Sequence, residues 1–185
     1  DAKVVRDFIA LTQKLGFSPI LLPFKPNGKA MHIKGFLARF SKTAKTQAEF
    51  LNRVAKLNVP LVGVDPAIVL SYRDEYKEAL GDSRGDFHVL TAHEWLTNQL
   101  ESNTLQSAVK NIAKSDCTFE WHLFPHCTES TFMPNSPKEW QYIFAQFGQT
   151  LNVEKVGCCG MAGVFGHEVQ NQTMSKDIYD VSWGK

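Results

Sequence analysis

Thiols, imidazoles and carboxylates gather in two short stretches of this 185-residue chain. One is Phe124-Pro125-His126-Cys127-Thr128-Glu129. The other is Gly157-Cys158-Cys159-Gly160-Met161-Ala162-Gly163-Val164-Phe165-Gly166-His167-Glu168. Two adjacent thiols in a glycine turn that opens a helix can bind a metal ion or an iron–sulfur cluster. Glycines let backbone N–H groups approach a ligand closely, and a helix N-terminus favours negative charge. Phosphate binding is the weaker reading, because neither GxGxxG nor GxxxxGKS/T is present. The plain alternative is a glycine turn with two buried, inert cysteines. Cys127 argues against it: three thiols from two turns are most of an iron–sulfur or zinc site. His126, Glu129 and His167 stand beside them as substitute ligands or as groups that tune the site, although each alone is more commonly a surface or hydrogen-bonded residue. Cys117 precedes the first stretch and is read as structural. No catalytic acid, base or nucleophile is assigned. Clusters commonly take four cysteines, so a fourth ligand is expected from His126, from His167 or from beyond Lys185.

These residues need strands to deliver them. Residues 119–124 and 151–156 read as strands, each leading into one of the thiol turns. In a parallel sheet successive strand ends share one edge, which brings Cys127 towards Cys158 and Cys159. Between them Ser136 reads as an N-cap, with Pro137 at the first helical position and Glu139 close behind, for a helix that runs to Phe147 and stops at Gly148. A last helix is expected from about Gly166 to Tyr179. Upstream, residues 2–15 carry the apolar stripe Val5, Phe8, Leu11 and Leu15, ended by Gly16. Residues 19–24 read as a short buried strand. A long helical pattern covers 31–57, with a break near Ser41–Thr43. Residues 61–64 read as another buried strand, and a helix runs from Asp65-Pro66 through Leu80. Residues 81–85 read as a polar linker or loop. Thr91, with Glu94 three residues on, has capping-box spacing for a helix to Leu100. Strands alternating with helices predict an α/β fold with mainly parallel sheets and flanking helices.

Composition narrows the function classes. With 43% hydrophobic and 21% charged residues the chain is of ordinary globular type, not disordered and not a disulfide miniprotein. A net charge of +1 speaks against a nucleic-acid binder; Lys25, Lys29, Lys34, Arg39, Lys42 and Lys45 read as a solvated helix face. No apolar run approaches a membrane span and no secretory signal is visible. Adjacent cysteines make a disulfide framework unfavourable, and a reducing cytoplasm fits. The first residue is Asp1, which predicts a processed chain or a piece of something longer.

Shifting the chain by 132 positions lays Phe8 on Trp140, Leu11 on Ile143, Leu15 on Phe147, Gly16 on Gly148, Gly28 on Gly160 and Ala30 on Ala162. Both stretches then read helix, Gly, strand, tight turn with Gly, helix, and an internal duplication is expected. Its halves would be residues 1–90, which lack the thiols, and 91–185, which keep them.

His126-Cys127 followed by Gly157–Glu168 resembles the cysteine-rich CCG domain. That domain occurs in heterodisulfide reductase B subunits, in glycolate oxidase iron–sulfur subunits and at the C-terminus of large FAD-linked oxidases of the D-lactate and D-2-hydroxyglutarate dehydrogenase type. The Met161-Ala162-Gly163-Val164-Phe165-Gly166 run is closest to the last group. The resemblance implies a duplicated domain. Pro26-Asn27-Gly28-Lys29 then stands where a Cys-Cys-Gly-Arg would be, and Asp65-Pro66-Ala67-Ile68 before Arg73-Asp74-Glu75-Tyr76 stands where a cysteine segment would be. It further implies an excised C-terminal piece, ending before a final cysteine segment, of an FAD-dependent D-2-hydroxyacid dehydrogenase, cytoplasmic or held peripherally at the inner membrane face. Cys127, Cys158 and Cys159 would be ligands of an iron–sulfur cluster, absent or partly loaded in the piece alone. His126, Glu129, Gly157, Gly160, Gly163, His167 and Glu168 would surround it. The domain would pass electrons from FAD to an acceptor, its partners being upstream FAD and ferredoxin-like domains of one polypeptide, homo-oligomeric at full length. A cluster-less assembly domain and a zinc or thiol-redox site are the competing expectations.

Overall fold

The computed structural model describes residues 2–102, 105–112 and 119–184; Cys117 lies outside them. The elements run α1 (Ala2–Lys14), α2 (Lys29–Ile33), α3 (Leu37–Ala55), β1 (Leu61–Gly63), α4 (Pro66–Arg73), α5 (Glu75–Leu80), β2 (Val89–Thr91), α6 (Ala92–Glu101) and α7 (Gln106–Ile112). They continue with β3 (Glu120–Leu123), α8 (Cys127–Phe132), α9 (Ser136–Gln146), β4 (Thr150–Val153) and α10 (Gln172–Ser182). The architecture is α/β, with helices around two small parallel sheets.

The first sheet sits between two cores. β1 and β2 pair in parallel, Leu61 opposite Val89 and Gly63 opposite Thr91. Successive side chains turn to opposite faces. Leu61 and Val89 join Phe40, Ala44, Ala48 and Leu51 of α3, Val69 of α4 and Tyr76 of α5. Val62 and Leu90 pack instead against Leu15, Trp95, Leu96, Leu100 and Ile143. Covering both faces is what makes a short parallel ladder of apolar residues worthwhile. α1 belongs to the second core: Phe8 and Phe17 meet the Trp95 ring edge-on, at 5.9 and 4.9 Å between centroids.

The second sheet carries the thiol turns. β3 and β4 pair in parallel from Glu120 opposite Thr150 to Leu123 opposite Val153. α9 covers one face, where Leu151 is buried and the Trp121 ring lies 5.9 Å from Phe144. Another face carries polar pairs, Glu120 with Asn152 and His122 with Glu154.

Helix starts follow local chemistry. Thr91 and Glu94 close the capping box at the head of α6, each side chain bonded to the other's backbone N–H. Asp65 caps α4, its carboxylate accepting from Ile68 N–H at 3.2 Å ahead of Pro66. At α9 the reading of Ser136 as the cap is corrected: the cap position is Asn135, without a side-chain cap bond, and Ser136 is the first helical residue, its Oγ spent on Glu129.

Several expectations need correction. Residues 19–24 are not a strand. Pro19 and Pro23 offer no ladder donor, and the segment runs irregularly with Leu22 against the first core while Ile20, Leu21 and Phe24 are exposed. The break in the helical pattern falls at Lys34–Phe36, where Gly35 has φ +76°, and α3 passes through Ser41–Thr43 unbroken. The helix after Asp65 is interrupted at Asp74. The last helix starts at Gln172, after single 3-10 turns at Phe165–His167 and Val169–Asn171. The polar stretch after Leu80 is no free linker: Gly81–Arg84 forms a 3-10 turn, and Arg84 donates to the carbonyls of Tyr72, Gly85 and Phe87.

Candidate functional site

Parallel pairing of β3 with β4 sends both thiol turns off the same edge. Beyond Leu123 the chain passes Phe124-Pro125-His126 and starts α8 at Cys127. Beyond Val153 it reaches Cys158, and Glu154 N–H adds one more bond to Leu123 C=O at 2.9 Å. Cys127 and Cys158 are exposed and Cys159 is half-buried; all are free thiols. Gly160 N–H donates to Cys158 Sγ at 3.4 Å. His126 caps α8, its Nδ1 accepting from Thr128 N–H at 3.2 Å. That bond uses the imidazole as a cap, not as a ligand. Among the described residues no three His, Cys, Asp or Glu side chains gather as a set of metal ligands.

The glycines of the second turn permit close approaches. Gly160 has φ +79°, and its carbonyl accepts from Ser175 Oγ of α10 at 2.9 Å. Gly157 donates its N–H to Ser182 Oγ and accepts at its carbonyl from Trp183 Nε1 at 3.1 Å. Gly163 lies against Ile33: a Cβ there would sit 2.5 Å from Ile33 Cδ1. Glu168 pairs with Lys34 and also accepts from Gln170 and Asn171. His167 is exposed on a 3-10 turn.

Glu129 does something its spacing did not announce. It is buried, accepts from Ser136 Oγ and from Trp140 Nε1 at 3.3 Å, and lies 3.4 Å from Nδ1 of His93. On the other side of that imidazole, Glu139 Oε2 is buried without a hydrogen bond, 3.3 Å from Nε2. His93 is 1% exposed. Burial pushes its pKa below the ordinary histidine value, and the two carboxylates only partly restore it. Through this cluster the first turn of α6 holds α8, whose first residue is Cys127. The next residue of α6, Glu94, holds α4 through Arg73. Burial alone would raise its carboxyl, but the Arg73 fork (Nη1 to Oε1 at 2.9 Å) and the Thr91 N–H (2.8 Å) bring it below the usual carboxylate range. Arg73 also donates to Val89 C=O.

In the turn ahead of α2, Asn27 and Gly28 are tied down. Tyr76 OH donates to Asn27 C=O at 2.6 Å, Asn27 Oδ1 accepts from Lys29 N–H at 2.8 Å, and Lys29 pairs with Glu75. Rings fill the adjoining space: His32 and Tyr76 lie 4.8 and 5.7 Å from the Phe40 centroid. A cavity of about 300 Å³ between α4, α5 and α8 is lined by Arg73, Asp74, Glu75, Thr128 and Phe132 among others.

No family model matches the chain, and no solved structure matches it. Curated proteins do. The chain is 80% identical over 185 residues to the D-2-hydroxyglutarate dehydrogenase of Haemophilus influenzae and spans 18% of that protein. It is 57% identical over 183 residues to that of Escherichia coli (strain K12), spanning 17% of it. One subunit of the anaerobic glycerol-3-phosphate dehydrogenase of the same organism is 27% identical over 184 residues, 43% of its length. The chain is therefore much shorter than the relatives it matches, and over its whole length it is a homologue of one segment of the D-2-hydroxyglutarate dehydrogenases.

Proposed function

We propose that this chain is the redox domain of a D-2-hydroxyglutarate dehydrogenase-type oxidoreductase, placed after FAD and ferredoxin-like domains in one longer, homo-oligomeric polypeptide. The observation that carries the reading is the β3–β4 register, which sends Cys127 and the Cys158–Cys159 pair off one sheet edge. Free thiols on neighbouring turns, with a backbone N–H directed at one sulfur, suit iron as a donor set. The set is incomplete, and a fourth ligand is assigned to another part of the longer polypeptide. Cys127, Cys158 and Cys159 would hold the iron–sulfur cluster, which when bound supplies one-electron transfer between flavin and acceptor. The chain's own residues orient the thiols: His126 and Glu129 fix α8, while Gly157 and Gly160 let α10 grip the second turn. Gly163 and Glu168 tie that turn to α2 through Ile33 and Lys34, and His167 tunes the site from the adjacent 3-10 turn. No helix among the described residues is long and apolar enough to cross a membrane; a cytoplasmic site, or a peripheral one at the inner membrane face, completes the proposal.

We further read residues 1–90 and 91–185 as related halves. Gly16 and Gly148 share positive φ (+92° and +69°), as do Gly28 and Gly160 (+81° and +79°), which supports the 132-residue repeat.

The test is iron, sulfide and zinc content with a visible spectrum, on anaerobically purified intact polypeptide. Iron and sulfide are expected in proportion to protein, and to fall when Cys158→Ser and Cys159→Ser are introduced. Zinc falling in their place would make this a zinc site. A second reading, an assembly surface without a cluster, draws on the exposed Ile20, Leu21 and Phe24. It wins if the substitutions leave metal and turnover unchanged while subunit association shifts on mutating those three residues.

A further inference from the structure

α10 presents Ser175 and Ser182 seven residues apart, two helical turns, and therefore on one face. That face meets the vicinal thiol turn on both flanks. Ser175 Oγ donates to Gly160 C=O at 2.9 Å, just after the pair, and Gly157 N–H donates to Ser182 Oγ just before it. The next residue, Trp183, takes Gly157 from its other side, donating Nε1–H to the carbonyl at 3.1 Å. The same indole stacks on Phe124, with centroids 5.0 Å apart and planes 28° apart. Phe124 stands three residues before Cys127, and Gly157 one before Cys158. One side chain thus touches the approach to each thiol turn. It is itself fixed, its N–H bonded to Tyr179 C=O at 2.7 Å and its ring stacked 6.2 Å from that of Tyr179.

We propose that Trp183 is a positioning residue that clamps the Cys127 turn to the Cys158–Cys159 turn. The β3–β4 ladder cannot set this separation alone. Its strand pairing ends at Leu123 and Val153, leaving three residues before Cys127 and four before Cys158. Past that point, among the described residues, the indole bridges the two turns, with the stack supplying one link and the Gly157 bond the other. The inference rests on the reading that these thiols hold iron together, since only a shared ligand needs their spacing fixed.

The experiment compares Trp183→Phe, which keeps a ring against Phe124 but has no N–H, with Trp183→Leu, which has neither, in the intact iron-loaded polypeptide. Iron loss to a chelator under anaerobic conditions is expected to speed up about tenfold in Trp183→Leu, the loss typical of removing a residue that orients metal ligands, and by less in Trp183→Phe. The paramagnetic resonance spectrum of the reduced protein is expected to change in both, a signature that a merely structural role leaves alone. Wild-type release and spectrum in Trp183→Leu, with iron still lost in Cys158→Ser, would overturn the clamp and leave the cluster reading standing. If Cys158→Ser leaves iron untouched, the cluster reading fails, and the clamp is judged on iron-free protein with a bifunctional thiol reagent. Crosslinking of Cys127 to Cys158 or Cys159 is then expected to drop about fivefold in Trp183→Leu, as the loss of one net hydrogen bond would give; an unchanged yield overturns it. Should Trp183→Leu not fold, Trp183→Phe and Ser182→Ala carry the same comparisons.

Discussion

Gly160→Ala is the sharpest local perturbation of the thiol turn. Two costs add at this residue. Its φ of +79° lies in the left-handed region, where a Cβ costs roughly 1–2 kcal/mol. The new methyl would also stand 2.1 Å from the Ser175 carbonyl oxygen and 2.9 Å from the carbonyl carbon. Both atoms are backbone, so no rotamer change relieves the contact and α10 must shift, an overpacking cost of roughly 1–3 kcal/mol. The sum is roughly 2–5 kcal/mol, taken from a helix whose hold on the turn includes the Ser175–Gly160 bond. Gly148→Ala is the control, because Gly148 has φ +69° but nothing within 4 Å of where an added methyl would stand, so only the backbone cost applies. The assay is hydrogen exchange of backbone amides in the intact polypeptide. Relative to wild type, exchange of α10 amides in Gly160→Ala should be accelerated more than that of α9 amides in Gly148→Ala by the overpacking cost alone, about 5- to 150-fold at a decade per 1.4 kcal/mol. Equal acceleration in the two variants would refute the close approach of Ser175 to this turn.

Other perturbations test the network behind the turns. His93 has a pKa lowered mainly by burial, so the unfolded chain takes up its proton first, and stability falls as pH drops below about 6.5. The melting temperature is expected to fall between pH 7.5 and 5.5, and to fall less in His93→Gln. The lowered Glu94 carboxyl contributes in the same direction but at more acid pH: its stabilisation is present above the normal carboxylate range and lost as pH falls through the folded value. Arg73→Lys keeps a charge but loses the fork to Glu94 and the bonds to Val89 C=O. The pair is only partly buried, so a cost of about 1–2 kcal/mol is expected in urea unfolding. Tyr76→Phe leaves Asn27 C=O without its 2.6 Å donor and should cost about 1–2 kcal/mol, also read by urea unfolding.

What could be read from the chain alone was local. The Thr91–Glu94 capping box was legible because its two side chains and two N–H groups lie within one turn and satisfy each other without tertiary help. The strands before Cys127 and Cys158 were legible from short apolar runs ended by turn residues, and their parallel pairing follows from the helix between them. Residues 19–24 misled because apolar composition announces burial without saying what does the burying; two prolines and a single inward residue, Leu22, made a strap there. His93 gave no signal: its partners Glu129 and Glu139 stand 36 and 46 positions away and fall on no common period. Trp183 was equally silent, since nothing in Ser182-Trp183 indicates which carbonyl or ring it meets.

Two glycines that the proposed 132-residue repeat would pair show how similar φ angles can serve opposite ends. Gly28 and Gly160 hold nearly the same φ, +81° and +79°. What approaches them differs. At Gly28 the nearest neighbour of an added Cβ is the Phe40 ring at 2.9 Å; at Gly160 it is the Ser175 backbone at 2.1 Å. Phe40 is a core side chain, 1% exposed, and with Tyr76 it occupies the space beside the Asn27 turn. The Cys158 turn is gripped from behind by a helix, which leaves Cys158 exposed at the sheet edge. Filling with rings stabilises the fold and removes the site, because apolar burial leaves no room for a charged group. Gripping by side-chain hydrogen bonds to its backbone fixes a turn without covering it. Under the duplication proposed above, the first half has gone the first way and the second half the second. Placing Cys at Pro26 and Asn27 is therefore expected to give no iron binding unless Phe40 and Tyr76 are also made small, and iron stoichiometry of the double and quadruple variants measures this directly.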